Sequence, residues 1–193
     1  MRAPAAVQVA VCVVAVVVLW AAANVIYQVA RKPTELFFPV SGALNKTPAE
    51  TWRQYGPVFR EHSTPVMTPE LLAAIAQVEG SGNPVVRTYW RWSLTSRPFE
   101  IYRPASSAVG MYQFTDGTFA EARQYCIHDH VAVEQGCWFN SLYFRVSPSD
   151  AVEMTSAYLD LNIAKILTKH RIAKATLPQK QELADPLHRD YLR

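Results

Sequence analysis

Glu79 ends a helix-length stretch beginning at Glu70, in which Leu72, Ile75 and Glu79 fall on one face. An acid that shares a stripe with core-facing residues is expected to be partly desolvated. Desolvation favours the protonated form, which a general acid working near neutral pH requires. Gly80-Ser81-Gly82-Asn83-Pro84 follows at once, a turn through which backbone approaches a ligand without side-chain bulk. The plainer reading of the same residues leaves Glu79 in water at a frayed helix end.

A second segment, Ser106-Ser107-Ala108-Val109-Gly110-Met111-Tyr112-Gln113-Phe114-Thr115, places an amide between aromatics after a run of small residues. That composition suits a sugar groove, because aromatic rings offer flat apolar faces and an amide both donates and accepts hydrogen bonds. It suits core packing ahead of a helix equally well. The aromatic cluster Tyr89-Trp90-Arg91-Trp92 reads either as a stacking wall or lid, or as ordinary packing. Arg87, Arg97 and Arg103 nearby either meet carboxylates of a ligand or form a solvated face.

The elements that must hold these residues are mostly helical. Thr47-Pro48-Ala49-Glu50 is a capping-box start whose helix should stop at Gly56-Pro57. Thr68-Pro69-Glu70 opens the helix that carries Glu79, with Gly80 as its stop. Thr115 or Asp116 caps a helix running to about Cys126. Ser147-Pro148-Ser149-Asp150 opens the longest helix of this part, with Val152, Leu159, Ile163 and Ile166 at helical spacing. Strand signals are weak outside Val85 to Trp92, and no internal repeat is visible.

Ahead of all this, Ala5 to Ile26 is almost purely apolar, broken only by Gln8 and Asn24. The run is either a membrane anchor, with Arg31-Lys32 at its far end, or a signal peptide cleaved after Ala21-Ala22-Ala23. Both readings export the remainder. Cys12 lies inside the run without the small residue that precedes a lipidated cysteine, and reads as a small hydrophobe. The expected organisation is residues 1–32 as transmembrane anchor or signal, 33–64 as linker and short helix, and 65–193 as the working domain. The chain has 19 basic against 16 acidic residues, too slight an excess to make nucleic acid the partner.

Cys126 and Cys137 are the only cysteines after the apolar run, and an even pair in an exported domain most simply forms a disulfide. The alternative is a metal site built from Cys126, His128, His130 and Cys137, but the spacing fits no common zinc pattern. The expectation is a disulfide, no metal and no cofactor.

Taken together, Gln77-Val78-Glu79-Gly80-Ser81-Gly82-Asn83-Pro84 and Gly110-Met111-Tyr112-Gln113 resemble the first two motifs of lytic transglycosylases of the soluble, goose-lysozyme-like superfamily. Gly80 stands where that family usually has serine. The helix around Ala157-Tyr158-Leu159 is similar to a third family element, and the resemblance covers roughly residues 65–184. It implies a mainly α, lysozyme-like domain that cuts the β-1,4 bond between N-acetylmuramic acid and N-acetylglucosamine in peptidoglycan. It also implies that Glu79 acts as acid and then base, that the sugar's 6-hydroxyl gives a 1,6-anhydro product, and that Ser81, Tyr112, Gln113, Phe114 and Tyr158 bind substrate. The implied setting is the bacterial inner membrane with the domain in the periplasm, or the periplasm itself after signal cleavage, with glycan strands and other envelope machinery as partners.

The chain departs from the family late in the domain. Gln181-Glu182-Leu183-Ala184 begins like the expected Ala-Tyr-Asn helix, then gives way to the proline-broken 185–193. Two alternatives to the lyase therefore stay open. One is a glycan-binding or scaffold module with an incomplete site. The other is a hydrolytic lysozyme, which needs a second carboxylate, with Asp116 and Glu100 nearest in sequence.

Overall fold

A computed structural model describes residues 4–37, 39–170, 172 and 175–185. Among the described residues six α-helices carry the fold: α1 (Ala5–Arg31), α2 (Pro48–Glu61), α3 (Pro69–Gly80), α4 (Asp116–Ala122), α5 (Pro148–Lys169) and α6 (Leu177–Ala184). Two antiparallel hairpins join them. One pairs β1 (Trp90–Trp92) with β2 (Tyr102–Pro104), and the other pairs β3 (Cys126–His128) with β4 (Val131–Val133). The mainly helical architecture expected from the sequence is the one observed.

The capping signals work locally as read. Thr47 and Glu50 form a reciprocal capping box, and the Thr68 and Thr115 hydroxyls each accept from the backbone N–H three residues on. Helix α2, however, runs through Gly56-Pro57 to Glu61. Proline there removes one internal hydrogen bond. Burial of Thr51, Tyr55, Gly56 and Phe59 along one face outweighs that loss, so the packed face rather than the local stop sets the length. Helix α4 is shorter than expected, ending at Ala122, because Cys126 belongs to β3.

Tyr55 and Phe59 of α2 enter the same core as Leu72, Ile75 and Ala76 of α3, Met111 and Phe114 of the intervening loop, and Val152 and Met154 of α5. The core thus sits between α2, α3 and α5, and α6 closes one side through buried Ala184. Helix α5 is tied to the second hairpin by Glu153, which accepts from Ile127 N–H at 2.9 Å and from the Tyr143 hydroxyl at 2.7 Å. Partial burial and the adjacent Glu153 carboxylate both hold the Tyr143 phenol well above its ordinary range.

The β3–β4 hairpin is closed by a disulfide between Cys126 and Cys137. Asp129 and His130 both take positive φ, 48° and 63°, the turn geometry that suits the twist of a two-residue hairpin. With both sulfurs in that bond, neither is a thiolate for a metal. His130 turns instead to the backbone carbonyl of Ser63, 2.8 Å away.

The turn after α3 is fixed by Asn83, which is fully buried. Its side chain donates to Ser41 O at 2.6 Å and Asn45 Oδ1 at 2.9 Å, and accepts from Val85 N–H at 3.0 Å. Gly80 meets a different demand. It is still helical, and Ser81 takes the left-handed position at φ 51° that a C-terminal glycine usually fills. A Cβ on Gly80 would lie 2.7 Å from both the Cα and the carbonyl oxygen of Met111.

Two substitutions test this packing in the full chain. Gly80→Ala gains about 1 kcal/mol of helix propensity, but overpacking against fixed backbone costs about 1–3 kcal/mol. The expected result is a lower thermal unfolding midpoint. Asn83→Ala orphans a buried carbonyl and a buried N–H, and should lower the unfolding free energy by roughly 2–4 kcal/mol, read from denaturant midpoints.

Candidate functional site

The last turn of α3 lies against the loop from Gly110 to Phe114, and the contact makes a cleft. Val109 and Phe114 exchange backbone hydrogen bonds at 3.2 and 3.1 Å, closing a four-residue loop between them. Gly110, at φ 83°, donates to Val86 O at 3.0 Å. A side chain at Gly110 would meet the carbonyl of Arg145, so glycine is required there by space and by conformation.

Gln113 takes a left-handed conformation, φ 49°, uncommon for a non-glycine residue. Its side-chain amide donates to Gly110 O at 2.9 Å and to Val86 O at 3.4 Å, so its N–H groups stabilise the loop. The amide oxygen has no protein partner among the described residues.

The cleft has a volume of about 110 Å3 and is lined by Ile75 and Glu79 of α3, by Tyr112, Gln113 and Phe114, by Thr118 of α4, and by Thr155, Tyr158 and Leu159 of α5. Phe114 and Tyr112 form its floor and are themselves buried, at 4% and 8% exposure. The Tyr112 hydroxyl donates to Leu72 O at 3.1 Å, and full burial pushes its pKa well up, so it stays a neutral phenol. Tyr158 is half-buried, with its hydroxyl 3.3 Å from Glu121 Oε2 and its ring 6.3 Å from that of Tyr125. Burial and the neighbouring Glu121 charge both raise the pKa of this phenol.

Glu79 stands on the cleft wall, but its side chain is exposed, not desolvated as the helical stripe suggests. The reason is geometric. Leu72, Ile75 and Ala76 take the core-facing side of α3, while Glu79, one turn beyond Ile75, is left at the lip of the groove. Ser81 caps the helix outside the cleft and is not among its lining residues.

The other residues singled out in the sequence have structural partners elsewhere. Asp116 pairs with Arg145 at 2.8 Å, and Glu100 lies 3.2 Å from Arg97 and 3.7 Å from Arg103. Neither acid lines the cleft. Arg87 pairs with Glu35 at 3.0 Å. Of the aromatic cluster, Trp90 and Trp92 pack on Tyr102 with ring centroids 5.1 and 4.6 Å apart, and none of its residues lines the cleft. The sequence reading missed Ile75, Thr118, Thr155 and Leu159. Ile75 is one turn before Glu79, and Thr155 lies three residues before Tyr158, so periodicity from the named residues would have found two of them.

Chemically, the arrangement presents one carboxyl group, an amide oxygen and aromatic surface around a groove open to solvent. A polymer can lie in such a groove with a polar linkage at the acid. The helical fold agrees with the comparison with known families. Residues 57–177 match the Transglycosylase SLT domain, covering more than half of the chain. No curated protein and no solved structure gives a significant match. The chain therefore belongs to the SLT transglycosylase family, with a lysozyme-like fold and a peptidoglycan-acting, transglycosylase-type domain.

Proposed function

We propose that this chain is a membrane-anchored lytic transglycosylase that cuts N-acetylmuramic acid–β-1,4–N-acetylglucosamine bonds with Glu79 as its single acid and base. The observation that carries this reading is that Glu79 is the carboxylate among the described residues lining the cleft. In the first step the Glu79 carboxylic acid gives its proton to the glycosidic oxygen as the bond to the anomeric carbon breaks. In the second, the Glu79 carboxylate takes the proton of the muramic acid 6-hydroxyl as that oxygen bonds to the same carbon. The product is the 1,6-anhydro sugar, no water is consumed, and Glu79 returns to its starting form.

In this reading the glycan itself completes the site. Glu79 is exposed in the open groove, and a sugar chain lying over Phe114 and Tyr158 excludes water from it. Tyr112 supports the floor without offering its hydroxyl, Gln113 offers its amide oxygen to the sugar, and Ser81 acts indirectly by capping the helix that carries Glu79. Tyr158 contributes its ring, with its hydroxyl held by Glu121.

Helix α1 is long enough to cross a bilayer, with 27 residues and a mean hydropathy of 2.7 in its best window. We favour an anchor over a cleaved signal because the end of α1 is built into the domain. Trp20 Nε1 donates to Pro98 O, Asn24 to Tyr102 O, Gln28 to Phe99 O and Lys32 to Ala108 O, at 3.1, 2.7, 2.6 and 3.0 Å. Cleavage after Ala23 would discard the first of these. The domain then faces the periplasm from the inner membrane, within reach of glycan strands and of other envelope machinery. The domain proper includes α2, whose aromatic face belongs to the core.

Digestion of purified sacculi by the full chain in detergent, followed by mass spectrometry, tests the activity. The native chain should release anhydro-muropeptides, lighter by one water than the products of a hydrolase. Glu79→Gln should lower release by roughly 10²–10⁴-fold, the share that a positioned acid and base contributes. Hydrated products would make the protein a lysozyme, and binding without soluble product would make it a glycan-binding module. The protein recovered from membranes should also retain Trp20, measured as intact mass.

A further inference from the structure

The β1–β2 hairpin lies along the apolar helix instead of along the cleft. Its contacts extend over about three turns of α1: Lys32 bonds to Ser106 and Ala108 carbonyls, Gln28 to Phe99 O, Asn24 to Tyr102 O, and Trp20 to Pro98 O. Trp20 also stacks with Trp92, ring centroids 6.5 Å apart. From Lys32 back to Trp20 the hairpin therefore follows α1 toward its N-terminal, most apolar part, and the loop between Trp92 and Pro98 lies at that end.

Length then fixes depth. At 1.5 Å per residue, about 30 Å of hydrocarbon takes about 20 helical residues, which from Ala5 brings the exit to the neighbourhood of Asn24. Trp20 lies one turn, about 6 Å, deeper. The hairpin groups that touch Trp20 are held at the same level. Val25 and Ile26 on the open side of α1 are 49% and 69% exposed, so apolar surface continues past Asn24 and is covered only if the bilayer reaches that height. The hairpin's free surface matches such a position: Trp92 is 70% exposed, Leu94 is wholly exposed at the tip, and the exposed Arg91 and Arg97 flank them. Tryptophan, leucine and arginine together are the composition of the membrane–water boundary.

We propose that the hairpin is a membrane-seating element whose tip, with Trp92 and Leu94, lies in the headgroup and upper acyl layer of the bilayer that α1 crosses, while Arg91 and Arg97 meet lipid phosphates. This rests on the anchor reading of α1. Because Asn24, Gln28 and Lys32 lock helix to hairpin, seating the tip fixes the height and tilt of the domain above the lipid, and with them the glycan strands that the cleft can reach.

The test uses the full chain with Cys12→Ala, leaving the disulfide oxidised, carrying one added cysteine labelled with an environment-sensitive fluorophore. The chain is reconstituted in phosphatidylethanolamine–phosphatidylglycerol vesicles containing, in separate preparations, lipids with a nitroxide quencher high on the acyl chain, for the tip, or near the chain end, for position 14. Leu94→Cys reports the tip, Val14→Cys reports α1, and Val131→Cys, exposed on the other hairpin, is the aqueous control. Leu94 buries nothing, so its replacement leaves folding intact. The inference expects the labels at 94 and 14 to be quenched and blue-shifted and the label at 131 to be unaffected. A label at 94 quenched no more than that at 131, with 14 still quenched, overturns the hairpin proposal and leaves the anchor standing. A label at 14 that also stays in water overturns the anchor reading, and the hairpin proposal with it.

Discussion

The close approach of the Met111 backbone to the last turn of α3 is the constraint on which the site depends. Only the missing side chain of Gly80 permits it, since a Cβ would lie 2.7 Å from Met111. The contact brings the end of one helix, with Glu79, against a loop whose next three residues supply the floor and one wall of the groove. Tyr112 adds a second tie by bonding its hydroxyl to Leu72 O, and Gln113 a third by holding Gly110 and Val86. Several residues that look like ligands in the sequence thus spend their polar groups on shaping the cleft. In the proposed reading, Glu79 and one oxygen of Gln113 remain for a substrate.

A second polar centre joins the domain to its N-terminal helix. Glu35 is almost wholly buried, with Trp90 Nε1 donating at 2.7 Å, Arg87 at 3.0 Å and the Lys32 ammonium in ion-pair contact at 3.1 Å from the other oxygen. Burial lowers the pKa of Lys32, and the neighbouring Glu35 works against that shift. A buried acid with three such partners is costly to strip of any of them. The segment after α1 is therefore fastened to the domain, and α1 does not hang from it by a loose tether.

Much of this was legible in the sequence because the signals are local. The threonine caps of α2, α3 and α4 and the 3.6-residue period of α5 place helices where they occur, and the cysteine pair gives the bond that closes the second hairpin. The two motifs bracketing the Gly80–Met111 contact supply Glu79, Tyr112 and Gln113 of the cleft. What was not legible depends on packing at a distance. Nothing local says that α2 continues through Gly56-Pro57, since the reason is the burial of Phe59. The plainer local reading, Glu79 in water at a helix end, matches its exposure, but that this end forms the lip of a groove depends on where α3 stops relative to the loop. The β3–β4 strands are three residues each, too short for a period to show. Asn24 and Gln28 read as blemishes in an apolar run, and their meaning appears only when the hairpin carbonyls lie beside them. The late motif expected after Ala184 falls on residues 186–193, outside the described residues.

The central claim is that the groove between α3, the Gly110–Phe114 loop and α5 holds a glycan strand with its scissile oxygen at residue 79. Its most direct test is a crystal structure of the Glu79→Gln protein with an uncut N-acetylmuramic acid–N-acetylglucosamine oligomer. The account predicts the glycosidic oxygen within hydrogen-bond reach of the substituted amide at position 79, with a sugar ring over Phe114 and Tyr158. An oligomer seated elsewhere on the domain, with this groove left empty, would contradict it.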